Sequence, residues 1–201
     1  MNELVSCIKK FGTTLGTLHQ FDYQEVKIKD GDAFQIITQR PEKTLLLAVL
    51  FRTYIMKKSK EITEKQHDVR IAIGLGAVNT NADDIQSMNC PALTNSGRLI
   101  KGMKKADRMR CHGCWGDIMN SILDDYTRCA SAIMDTWTSK QLDVCYYMLL
   151  YNNNRKVVIE KFGNELTHQR LSQYLKYAHY ELLEDIIKHF EQIVTSHLLS
   201  C

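Results

Sequence analysis

The chain has 201 residues, which is enough for one or two compact domains and does not decide between them. Its hydrophobic fraction of 44%, its charged fraction of 24% and its two prolines are typical of a globular protein and exclude a disordered or fibrous chain. The net charge of +3 is too small to indicate a polyanionic partner by itself.

The first half of the chain alternates helical and strand patterns. Apolar residues three and four positions apart predict helices, and alternating or β-branched runs predict strands. The predicted order is helix 3–18, strand 22–29, strand 32–38, helix 45–55, strand 68–78, helix 91–105 and strand 108–112. We expect the strand at 68–78 to be central and covered on both faces, because its apolar run does not alternate.

The strongest local signal is the Asp30-Gly31 pair between two alternating runs, which predicts a tight hairpin turn. Asp32 begins the returning strand, and a carboxylate at this position can hold a divalent cation. The alternative is that Asp32 only accepts hydrogen bonds from the backbone of its own turn.

The second half of the chain predicts helices only. Apolar residues recur at helical spacing over 115–134. Thr138, followed three residues later by Gln141, predicts a capping box that opens a helix ending near Tyr151.

A turn and two further helices follow. Asparagines at 152–154 predict the turn, 155–162 predicts a short helix, Gly163 suits its end, and Thr167 suits the cap of the next helix. Two short helices joined by a turn are typical of a helix-turn-helix.

No run approaches the roughly 18 to 20 apolar residues of a membrane span, so we expect no membrane partner and a cytoplasmic location. The seven cysteines are an odd number without a regular framework, which favours reduced thiols. Cys111-His112-Gly113-Cys114 has the spacing of half a zinc site. Because no second pair follows and structural zinc takes four ligands, we expect no zinc.

Three stretches resemble motifs of the class III nucleotidyl cyclases, namely Ile28 to Ala33, Val69 to Gly76 and Cys90 to Leu99. In that family they lie on a hairpin, a strand and a helix. A closer resemblance is to the SatD-like bacterial proteins, which look like a cyclase-type domain joined to a C-terminal helix-turn-helix. Gly31-Asp32-Ala33-Phe34-Gln35 matches the hairpin of that family.

The resemblance implies an α+β fold with a ferredoxin-like or cyclase-type sheet and its helices, followed by an all-α helix-turn-helix module. The expected divisions are a cyclase-like domain at 1–112, a helical connector at 113–136 and the helix-turn-helix with the final helix at 137–201. The family's first strand has no counterpart here, so we expect upstream residues, a partner or the N-terminal segment to cover the gap. The implied protein is a cytoplasmic bacterial DNA-binding transcriptional regulator.

The resemblance also implies a nucleotide site, with Mg²⁺ bound by Asp32 and with Arg98 and Asp30 as further candidates. A cyclase needs two carboxylates for its two metal ions, and only Asp32 matches, while Thr94 occupies the position of the family's asparagine. We therefore expect a catalytically degenerate domain that senses a nucleotide or other ligand or pairs subunits. One alternative is a metal-dependent nucleotide enzyme that uses Asp32, and another is a non-catalytic protein-interaction module.

The helix opened by Thr167 is the candidate DNA-contacting element. The side chains expected to contact DNA are Thr167, His168, Arg170, Gln173, Tyr174, Lys176, Tyr177 and Lys156. Residues near the helix start would contact base edges, whereas Lys176 and Lys156 would contact phosphates. The alternative is a helical packing or dimerisation module, because residues 151–201 hold six basic and six acidic side chains.

Two further features each have two interpretations. The apolar stripe over 182–199 either forms a homodimer interface or packs against 117–134 of the same chain. A basic run either faces solvent or contacts phosphates, and it consists of Lys101, Lys104, Lys105, Arg108 and Arg110.

Overall fold

The computed structural model describes residues 2–16, 23–28, 33–63, 67–77 and 90–198. Its helices and strands are α1 Asn2–Gly16, β1 Tyr23–Ile28, β2 Phe34–Thr38, α2 Thr44–Thr63, β3 Ile71–Gly74, α3 Pro91–Gly102, β4 Met109–His112, α4 Asp117–Asp135, α5 Ser139–Leu150, α6 Arg155–Phe162, α7 His168–Tyr177 and α8 Tyr180–Leu198. Short 3₁₀ turns lie at Pro41–Lys43 and Gly163–Glu165. No helix among these is long and apolar enough to cross a membrane.

The order of helices and strands predicted from the sequence is confirmed, but three elements differ in length by three residues or more. Helix α3, predicted over 91–105, ends at Gly102, because Met103 adopts an extended conformation after it. Helix α2 continues to Thr63, because Met56 and Ser59 extend its buried face beyond the predicted end. Strand β3 covers only 71–74 of the predicted 68–78. Its partner strand β4 is equally short, so the ladder of hydrogen bonds between them ends near His112. Beyond the ladder, Gly76 has a φ of +153°, which few side chains adopt, and the chain leaves the strand direction there.

The described strands form two separate pairs. Strands β1 and β2 are antiparallel, with Val26 opposite Ile36. Strands β3 and β4 are parallel, with Ile71 opposite Met109, and α3 makes the crossover that a parallel pair requires. The fold is therefore mixed α and β, mostly helical, and a single ferredoxin-like or cyclase-type sheet stays a prediction.

Helix α2 lies at the centre of the core. Leu45, Leu50 and Ile55 are fully buried on it, and the Phe51 ring lies 5.0 Å from that of Phe11 on α1. The helix contacts α1, α4, α5, α8 and β3. Because one apolar cluster extends from α1 to α8, the helices of the N-terminal and C-terminal halves share a core.

A buried arginine joins three segments of this core. Arg52 on α2 is 1% exposed, and its guanidinium donates to both carboxylate oxygens of Asp68 at 2.9 and 2.7 Å. It also donates to the Ser131 hydroxyl at 3.0 Å and to Asp135, both on α4. Burial alone would lower the pKa of Arg52, but the bonds to the two carboxylates outweigh it and raise the pKa. The Arg108 guanidinium forms a second ion pair with Asp68, at 3.0 Å.

Candidate nucleic-acid interface

Helix α5 begins as its sequence predicts. The Thr138 hydroxyl accepts from the Gln141 amide at 3.4 Å, and the Thr138 amide donates to the Gln141 side chain at 2.8 Å. The capping box is confirmed, and most of α5 is buried, including Val144 and Cys145. Helix α5 is therefore the fixed support on which α6 and α7 pack.

The turn between α5 and α6 depends on asparagines in conformations that few residues adopt. Asn152 and Asn153 have φ values of 49° and 63°, in the left-handed region that asparagine tolerates. Asn154 caps α6, since its side chain accepts from the Val157 amide at 3.3 Å. Helix α6 ends at Gly163, whose φ of 56° confirms the predicted stop.

Helix α7 is held at both ends and along one face. The Thr167 hydroxyl caps it by accepting from the Arg170 amide at 3.2 Å, as predicted. Leu171 and Leu175 are buried, and α7 contacts α5, α6 and α8. At its far end the buried Trp137 indole donates to the Ala178 carbonyl at 2.9 Å.

The opposite face of α7 is open to solvent. Of the eight side chains predicted to contact DNA, Tyr174 is half-buried and the other seven are exposed, Tyr177 among them at 70%. An α-helix turns by about 100° per residue, so Gln173 lies about 180° around α7 from the midpoint between the buried Leu171 and Leu175. Gln169 lies beside Gln173 on the same face. Gln169 is exposed and belongs to this face, although we did not single it out from the sequence.

The charge of α6 and α7 differs from that of the whole segment 151–201. Residues 155–179 contain five Lys or Arg and two Glu, and no carboxylate occurs in 167–180. One of the two acids, Glu165, lies 3.4 Å from Lys140. The other acids of 151–201 lie at 181–191, on α8. The exposed face of α7 is therefore polar and basic, whereas four of the six acids of 151–201 are on α8.

One further cation ties α6 to α7. Arg155, which we did not single out from the sequence, donates from its guanidinium to the Ser172 hydroxyl on α7 at 3.3 Å. Lys156, beside it, is exposed. The start of α6 thus brings Arg155 alongside α7, through a contact between distant residues that the sequence does not indicate.

The structure describes only one residue of the candidate nucleotide site. Arg98 is exposed on α3 and forms no ion pair with any described residue. Asp30 and Asp32 lie outside the described residues. Near Arg98, the Asn95 amide donates to the Leu75 carbonyl at 3.1 Å, so it fixes α3 against the end of β3.

The basic run divides into two groups. Lys101, Lys104 and Lys105 are exposed at the end of α3 and in the loop after it. Arg108 instead pairs with Asp68, and Arg110 pairs with Asp124 at 2.8 Å. These two cations are therefore paired with carboxylates of the same chain and do not form an open patch with the lysines.

The Cys111-His112-Gly113-Cys114 segment is built into the end of β4. Cys111 is buried, and burial raises the pKa of its thiol, as the charge of Asp124 also does. Cys114 is exposed on the other side of Gly113. Within the described residues, no group of three or more His, Cys, Asp or Glu side chains could hold a metal ion.

Comparisons with models of protein families, with curated proteins and with solved structures found no match for the chain. The resemblance to the SatD-like proteins therefore rests on the short motifs quoted above.

Proposed function

We propose that the protein is a DNA-binding transcriptional regulator in which α6 and α7 form a helix-turn-helix and α7 enters the major groove. The observation that carries this proposal is the solvent-exposed face of α7. It presents amides, hydroxyls and cations without a carboxylate, on a helix that is capped and packed along its other face. DNA repels carboxylates and binds cations through its phosphates, so this distribution suits a nucleic-acid surface.

The dimensions of α7 suit the groove. An α-helix with its side chains is about 10 to 12 Å across, and the major groove of B-DNA is about 12 Å wide, so a helix such as α7 can enter it. Gln169 and Gln173 point most directly away from the core, and glutamine can bond adenine through two atoms. Arg170 flanks them and can bond guanine in the same way.

The remaining cations suit the DNA backbone. Lys176 lies in the last turn of α7, and Lys156 and Arg155 lie at the start of α6. Cations on either side of a groove-entering helix set its position by contacting phosphates, and they contribute affinity that falls as salt rises.

For the N-terminal half we propose a degenerate cyclase-type domain that senses a ligand or pairs subunits. The support is the hairpin of β1 and β2, the parallel pair β3 and β4, and the crossover α3, which follow one another in the order that the motif resemblance implies. We propose that the regulator acts in the bacterial cytoplasm as a homodimer, since most helix-turn-helix proteins bind two half-sites.

The test is selection of bound duplexes from a random-sequence DNA library at about 150 mM salt, near physiological ionic strength. The wild-type chain is compared with an Arg170→Ala, Lys176→Ala double variant. A Lys9→Ala, Arg70→Ala double variant is the matched control, because it removes the same two kinds of charge from exposed positions on α1 and before β3.

We expect the wild type and the control to enrich one motif and the α7 variant to enrich none. Failure of the wild type to enrich any sequence would overturn the proposal. So would equal loss in both double variants, because binding would then depend on total charge rather than on α7.

A further inference from the structure

Helices α4 and α8 pack on each other and leave an apolar groove between them. The groove holds about 600 Å³, within the roughly 300 to 1,000 Å³ of small-molecule sites. Leu183 and Phe190 of the C-terminal stripe are buried within the chain, as packing against 117–134 predicts, whereas Leu182 is 55% exposed and lines the groove. The other apolar walls include Ile122, Tyr126 and Cys129 of α4 and Ile186 of α8.

Among the residues that the structure describes, one charged side chain lines the groove. It is Asp125, which is 64% exposed and forms an ion pair with Arg128 at 3.2 Å. Arg128 itself does not line the groove, and an exposed pair of this kind contributes little stability. A cationic group on a ligand can therefore approach the Asp125 carboxylate at little cost, whereas an anionic group would be repelled by it.

The rest of the lining favours an apolar ligand body. Every other described residue of the groove is apolar, and burying apolar surface against such walls is favourable. Tyr126 follows Asp125 in the lining, and a tyrosine ring attracts a cation that lies within about 6 Å of it. We propose that the groove between α4 and α8 binds a lipophilic cation, a small molecule with an apolar body and one positively charged group.

The groove lies on the stretch of α8 that holds the turn between α5 and α6. The Tyr180 hydroxyl donates to the Asn153 side chain at 2.6 Å, and the Asn153 side-chain amide donates to Glu184 at 3.0 Å. Leu182 and Ile186 of the groove alternate with these two residues along α8. A ligand in the groove thus contacts the same two turns of α8 that fix the turn before α6. An effect of the ligand on DNA binding rests on the proposed function, whereas binding of the ligand does not.

The first test is isothermal titration calorimetry of the full chain without DNA. The probes are tetraphenylphosphonium and tetraphenylborate, two ions of the same shape and opposite charge. The net charge of +3 would favour the anion, so tighter binding of the cation, which we expect, reports the groove. Asp125→Asn should weaken phosphonium binding by about 3- to 10-fold and strengthen borate binding, because it removes the carboxylate of the lining. Glu160→Gln changes the total charge equally at an exposed residue of α6, and it should leave both affinities unchanged.

Two further measurements locate the bound ion. Leu182→Lys puts a cation into the groove and should abolish phosphonium binding, whereas Ile62→Lys, at an exposed apolar residue of α2 outside the groove, should retain it. Cys129 and Cys114 are both exposed, and only Cys129 lines the groove. Saturating phosphonium should therefore slow alkylation of Cys129 by a maleimide, followed by mass spectrometry of the peptides, and leave alkylation of Cys114 unchanged.

Several results would overturn the proposal. The chain could fail to bind the phosphonium, or bind it equally well as the wild type and as Asp125→Asn. An unchanged rate of alkylation at Cys129 would place the bound ion elsewhere. Slower alkylation of Cys129 at higher protein concentration without the ion would show that a second copy, rather than a small molecule, covers the groove.

Discussion

Replacing Arg52 tests how the two halves of the protein are held together. The side chain is 1% exposed and bonds Asp68, Ser131 and Asp135, so it joins α2, the segment before β3 and the end of α4. We expect Arg52→Ala to destabilise the fold substantially and Arg52→Met to do so only slightly.

The magnitude follows from what each variant removes. Arg52→Ala deletes buried methylene groups worth about 0.8 kcal/mol each, and it leaves the buried Ser131 without one hydrogen bond, worth about 1 kcal/mol. The charged contacts contribute little net free energy, because the cost of burying a guanidinium offsets them. Asp68 keeps its contact with Arg108 at 3.0 Å, and the Asp135 side chain is half-exposed, so neither carboxylate is left buried and unpaired. The expected loss is about 3 to 4 kcal/mol for alanine and about 1 kcal/mol for methionine, which keeps the apolar stem.

The assay is urea unfolding at pH 7, supported by thermal unfolding. For a chain of this size, the loss in Arg52→Ala corresponds to a Tm lowered by about 6 to 16 °C. A loss in Arg52→Met as large as that in Arg52→Ala would refute the reasoning, because the ion pairs would then contribute net stability. A change below about 1 kcal/mol in Arg52→Ala would refute the burial itself.

Two further predictions concern single contacts and use the same unfolding assays. Gly74→Ala should destabilise the fold by about 3 kcal/mol or more, because a Cβ on Gly74 would lie 2.0 Å from the Ala92 carbonyl oxygen. Gly97→Ala should instead stabilise α3 by up to about 1 kcal/mol, because a Cβ there would meet no other part of the protein within 4 Å beyond its own stretch of helix. Equal effects of the two changes would contradict the close packing of α3 on β3. Trp137→Phe should destabilise by about 2 kcal/mol, because it leaves the buried Ala178 carbonyl without its donor, and an unchanged midpoint would show that this bond contributes nothing.

Local signals predicted the C-terminal helices well. The capping box at Thr138, the stop at Gly163 and the cap at Thr167 each depend on atoms within a few residues, and the structure confirms all three. The separation of exposed Arg170 from buried Leu171 follows from helical periodicity alone.

Features that depend on distant residues could not be predicted in the same way. Arg52 stands in an apolar run, and its partners are 16 and 83 residues away, so no spacing indicates that the arginine is buried and paired. The length of β3 depends on the length of β4, which is 35 or more residues further along the chain. How far the apolar faces of α4 and α8 cover each other likewise depends on distant residues, since Leu183 and Phe190 are buried whereas Leu182 is 55% exposed, a difference that periodicity does not measure.

The most direct test of DNA binding by α7 is the salt dependence of affinity for a selected duplex, measured by fluorescence anisotropy on the wild type, Lys176→Ala and Arg170→Ala. We expect Lys176→Ala to lower the slope of log affinity against log salt by about 1 for each bound copy. We expect Arg170→Ala to reduce discrimination at one base pair by about 1 to 3 kcal/mol. Unchanged slope and discrimination in both variants would contradict the placement of α7 in the major groove.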